Sequence, residues 1–111
     1  MDFEARKLAI YMVLYKQRGG AHVGAAFGTW PLGRLLVEPG KITVSVLFGR
    51  KSFSPAQIDR IELLAGGAAG LRIFYRGPHW EEFVDFSANL FLKKLLPALA
   101  AAGFTEVRGA D

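Results

Sequence analysis

The stretch Leu35–Phe48, LLVEPGKITVSVLF, decides how the chain is read. At its centre Pro39-Gly40 has type II turn chemistry. Proline presets φ at the second turn position, and glycine accepts the positive φ required at the third. Beyond the turn the residues alternate: Ile42, Val44, Val46 and Phe48 fall on one side, Lys41, Thr43, Ser45 and Leu47 on the other. Successive side chains of a strand point to opposite faces, so this period of two predicts a half-buried strand hairpinned to Leu35–Glu38. A helix would repeat its apolar residues every three or four.

Downstream, Gly49-Arg50-Lys51 supplies a predicted turn and Ser52-Phe53 a stub of strand. Ser54-Pro55-Ala56-Gln57 has the makings of a capping box around one helical turn, with proline at the first helical position. Ile58–Leu64 then reads as strand, with Ile61 and Leu63 inward and Arg60 and Glu62 outward. Gly66 to Gly70 is a loose connection to a strand over Leu71–Arg76, and Gly77-Pro78 turns the chain back into Trp80–Phe86. Upstream, the small residues GGAHVGAAFG at 19–28 predict a first strand running roughly from Ala21 to Trp30.

From Ser87 the period changes. Phe91, Leu92, Leu95, Leu96 and Leu99 recur at helical spacing while Lys93 and Lys94 point away. Ser87 is the expected N-cap. Gly103 fits the left-handed position after the last turn, with Phe104 as the apolar contact beyond it. Pro97 lacks an amide hydrogen and costs about 3 kcal/mol inside a helix, so a kink near Lys93 or two short helices meeting at Pro97 is expected.

The chain has 111 residues, 51% of them hydrophobic, a domain's worth with enough apolar matter for a core. It contains no cysteine, which excludes disulfides and thiolate metal sites. The net charge is +4, and the adjacent basic couples are Arg6-Lys7, Arg50-Lys51 and Lys93-Lys94. Such scattered charge points away from nucleic acid, whose binders concentrate it in a stripe. The apolar run Leu8–Tyr15, between Arg6-Lys7 and Lys16, is too short to cross a bilayer, which takes about 20 helical residues. Residues 1–18 are set apart as an N-terminal helix or strand that packs on the rest or lies on a membrane surface. Residues 19–111 form the remaining domain.

Strands in succession followed by one amphipathic helix suggest a small barrel plugged by that helix. From Trp30 to Phe104 the chain resembles a bacterial pleckstrin-homology-like domain. The residues that carry the resemblance are Trp30-Pro31-Leu32, Leu35, Val37, Ile42–Phe48, Phe53, Ile58, Ile61, Gly70-Leu71-Arg72-Ile73 and Gly103-Phe104. The expected fold is therefore mainly β (α+β by content), a barrel of about seven antiparallel strands closed by one C-terminal helix. The resemblance implies a non-enzymatic module, without cofactor, that binds lipid headgroups, peptides or partner proteins through the rim opposite the helix. The loop joining the first two strands would be Trp30–Gly33, with Arg34 beside it, and the loop Gly49–Lys51 would add Arg50 and Lys51. These three cations form the candidate anionic-ligand site.

Other chemistry is weaker. His79-Trp80-Glu81-Glu82 with Asp85 lacks the three or four convergent ligands of a metal site, and reads as a rim whose carboxylates face Arg72 and Arg76. No Gly-x-Ser-x-Gly elbow and no phosphate loop occurs. Leu47 and Phe74, on outer strand faces, are the candidate protein-contact patch. The expected function is protein interaction, with self-association through that patch or an open sheet edge. The alternative is binding to an anionic membrane surface. The expected location is the cytoplasm, including the inner face of the membrane.

Overall fold

The structure, a computed structural model, describes residues 12–64 and 69–109. The strands are β1 (Tyr15–Val23), β2 (Ala26–Glu38), β3 (Lys41–Val46), β4 (Gly49–Phe53), β5 (Ile58–Leu64), β6 (Gly70–Arg76), β7 (Glu81–Ser87) and β8 (Val107–Gly109). A 3-10 turn, Pro55–Gln57, precedes β5, and a helix, α1 (Leu92–Ala102), separates β7 from β8. All the strands join one sheet in the order β4-β3-β2-β1-β7-β6-β5-β8.

The described residues are thus mainly β with one α-helix, as the alternation predicts. The closed barrel of seven strands is not what forms. β8 is an eighth strand, laid parallel on β5 after the helix. Among the described residues no ladder joins β4 to the far side of the sheet. Side chains bridge that seam instead, with the Phe53 and Tyr75 rings 4.9 Å apart.

The predicted hairpin about Pro39-Gly40 is present, with Val37 paired to Ile42 and Gly40 at φ 72°. Its second arm is shorter than predicted. The chain turns at Leu47-Phe48, so Gly49-Arg50-Lys51 is not a turn but the start of β4. Phe48 sits in that turn at φ 66° and is fully exposed, rather than inward with Ile42. The single strand expected over Ala21–Trp30 is instead a hairpin tip: β1 ends at Val23, and β2 restarts after Gly24-Ala25. Trp30–Gly33 is therefore no loop between the first two strands. Gly19 pairs with Gly33 but Ala21 pairs with Gly28, so Thr29–Leu32 bulges out of β2 opposite Gly20 alone. The bulge requires glycine at its foot, because a Cβ on Gly33 would lie 2.5 Å from the Gly20 backbone.

Ser54 and Gln57 form the capping box, with the Ser54 amide donating to Gln57 Oε1 at 2.7 Å. Ser87 does not cap the helix. Its backbone is taken by ladders to Gly20 and Gly70, and α1 starts after Phe91. The helix runs through Pro97 as one element of 11 residues, not two short ones. It ends as its sequence predicts. Gly103 is left-handed at φ 99°, and the Phe104 amide donates to the Leu99 carbonyl at 2.9 Å.

Core residues come from every part of the sheet. Leu35, Val37, Ile42 and Val44 from one half meet Ile61, Leu71, Ile73, Val84 and Phe86 from the other, under Leu95 and Leu99 of α1. Each such side chain contributes about 1.5–3 kcal/mol by leaving water. Most of the segment set apart as 1–18 lies outside the described residues, but its last four begin β1, and Tyr15 is buried. The connection expected over Gly66–Gly70 lies mostly outside them too. No helix among the described residues is long and apolar enough to cross a membrane.

Candidate functional site

Strand register builds the site from residues far apart in sequence. Arg18 pairs with Arg34, Arg34 with Ser45, and Ser45 with Arg50, so one row crosses β1, β2, β3 and β4. The next row on the same face is Lys16, Leu36, Thr43 and Ser52. Side chains two apart on a strand share a face, so both rows rise from the outer side. Between them lies a hollow of about 480 Å³ lined by Lys16, Arg18, Arg34, Thr43, Ser45 and Arg50. At its floor Thr43 is buried and its hydroxyl is 2.8 Å from that of Ser52.

None of the four cations makes an ion pair among the described residues. Like charges on neighbouring strands repel by about 1 kcal/mol at 4 Å even in water. A bound anion would lower that repulsion.

Of the predicted anionic site, Arg34 and Arg50 come together here. Lys51 does not. It pairs with inward-facing Val44, and therefore stands on the opposite face, its ammonium 5.0 Å from the Tyr75 ring. Lys16 and Arg18 belong to the site but were assigned to the N-terminal segment. The sequence signal for Arg18 is the even spacing of Arg18, Arg34 and Arg50, which fall on β1, β2 and β4 while Ser45 holds the row on β3; Lys16 has no such signal.

The expected contact patch also divides. Leu47 occupies the β3–β4 turn, whereas Phe74 is on β6, packed 5.7 Å from Phe83 with the Arg60 guanidinium 3.8 Å above its ring. Leu47, Phe27, Trp30, Leu32 and Phe48 are all exposed. Phe27 and Trp30 border one hollow, and Gly28 sits against both Leu32 and Val46. In sequence Leu32 is two residues from Arg34 and Phe48 two from Arg50.

Over β5, β6 and β7 the outer face is neutralised. Arg60 Nη1 donates to Glu81 at 2.9 Å, and Arg72 grips Asp85 through Nε at 2.6 Å and Nη2 at 3.3 Å. The hydrogen bonds to these carboxylates hold both guanidinium groups above their ordinary range. Each also stacks on a phenylalanine, Arg60 on Phe74 and Arg72 at 4.2 Å on Phe83. The Glu81–Asp85 segment is thus the charged rim that its sequence suggests. Among the described residues no group of three acidic or histidine side chains is placed to hold a metal.

Two tyrosines mark the edges of this arrangement. Tyr15 donates to Gln17 and accepts from the Phe91 amide at 3.3 Å, and burial pushes its phenol up against that bond. The phenol of Tyr75 is also pushed up, first by burial and then by Glu82. Comparison with protein-family models, curated proteins and solved structures finds no match to this chain.

Proposed function

We propose that the chain is a non-enzymatic protein-interaction module of pleckstrin-homology-like build that engages an acidic partner through the outer face of β1–β4. The build is supported by the meander β1–β4, the following β5–β7 and the helix behind them. The eighth strand and the open seam depart from the expected barrel. The observation that carries the reading is the segregation of charge. Among the described residues the hollow of Lys16, Arg18, Arg34 and Arg50 is lined by no carboxylate and Glu38 on the same half is taken by Lys41, while Arg60 and Arg72 are matched on the other half. Trp30, Phe27 and Phe48 beside those arginines give the mixture of aromatic and arginine side chains that dominates binding hot spots. Self-association of this face is disfavoured, because a second copy brings the same cations against themselves.

The test is capture by immobilised wild-type chain, followed by purification of the captured protein and direct titration. Arg34→Glu with Arg50→Glu is expected to weaken the purified pair at least tenfold, and Arg60→Ala to leave it within twofold. A partner indifferent to the first pair, or one that is not acidic, overturns the reading.

A second reading, docking on an anionic membrane, is favoured by Trp30 and Phe48, whose exposed rings suit a headgroup boundary beside cations. Co-sedimentation with phosphatidylglycerol vesicles that 0.5 M salt abolishes supports it, and no sedimentation at low salt removes it.

A further inference from the structure

We propose that the acidic partner adds an extended segment to the sheet as a strand along β4. The inference rests on the protein-interaction reading and says how the partner is held.

Among the described residues β4 is hydrogen-bonded on one side only, to β3. Arg50, Lys51 and Ser52 are exposed, so the open edge is reachable from both faces. A free edge carries backbone donors and acceptors that an incoming strand can complete. With five residues in β4, the new ladder spans about 17 Å.

Charge selects the occupant. Arg50 stands on the outer face and opens onto Arg34 across Ser45. Lys51 stands on the other face, in the seam hollow of about 400 Å³ that it shares with Tyr75, Arg76 and Glu82. Alternate side chains of an added strand would therefore meet Arg50 on one side and Lys51 on the other. Acidic residues are favoured on both sides, with one position on the inner side facing Glu82 and taking a neutral residue. A second β4 is the wrong occupant, because cations directly opposite cations destabilise a strand pair. Among the described residues no strand already lies against this edge, and side chains alone, Phe53 and Lys51 against Tyr75, span the seam beside it.

The probe is a fluorescein-labelled ten-residue peptide of glutamate and aspartate interspersed with valine, added to the ¹⁵N-labelled chain. The expected result is saturable binding with at least tenfold slower hydrogen exchange at the Gly49–Phe53 amides that β3 leaves free. A second peptide of the same sequence, N-methylated at alternate residues, keeps its charges but cannot form the ladder. It should bind at least tenfold more weakly. Equal binding of the two peptides, binding without protection in β4, or no binding overturns strand addition. So does protection given by vesicles or an oligonucleotide but not by the peptide. A captured acidic partner that depends on Arg34 and Arg50 would survive any of these results, so the two readings fail separately.

Discussion

The two halves of the sheet share a core and differ on their outer faces. Over β5–β7 each arginine of the central rows finds a carboxylate and an aromatic ring, and the face is internally settled. Over β1–β4 four cations share a hollow without a carboxylate, beside large apolar side chains left in water. The first face spends its charges on the fold. The second leaves its cations facing one another without ion pairs among the described residues.

The largest test of the contrast is whether the halves are one unit. Phe86 is fully buried on β7, the strand that joins both halves through β1 and β6. Phe86→Ala should cost about 3–5 kcal/mol and lower the single urea transition as a whole. Two separated transitions would show that the halves fold independently and would break the comparison. Next, Arg72→Ala strands Asp85 without its two bonds and should cost about 1 kcal/mol. Arg34→Ala, which removes repulsion rather than a partner, should stay within about 0.5 kcal/mol. Equal losses at the two positions would mean that the basic face is also settled.

The smallest expected effect is at alkaline pH. Burial holds the phenols of Tyr15 and Tyr75 above the ordinary value of 10.0, so folding favours their protonated forms. Their contribution is complete below that value and is lost as pH rises through the folded values. Thermal melts at increasing pH above 10 should fall less steeply for Tyr15→Phe than for wild type. Identical slopes would take Tyr15 out of the account.

What was legible in the sequence was local. The alternation from Ile42 to Val46, the turn at Gly40, the Ser54–Gln57 box and the glycine stop at Gly103 each depend on neighbours within a few residues, and each forms as read. The errors lie where distant contacts decide. Nothing near Gly33 announces that the Gly20 backbone lies against it, so the bulge at Thr29–Leu32 looked like a loop. Ser87 has the chemistry of a cap, yet two neighbouring strands claim its backbone. Half of the basic site was found because Arg34 and Arg50 stood near presumed loops. The other half, Lys16 and Arg18, needed the register of β1 on β2, which composition does not encode.

The two borders of the sheet are unequal among the described residues. At one, β8 lays three residues in parallel on Ile61–Leu63 of β5. At the other, β4 presents five residues beyond β3. If strand addition holds, a partner bound at β4 alone should titrate to one per chain.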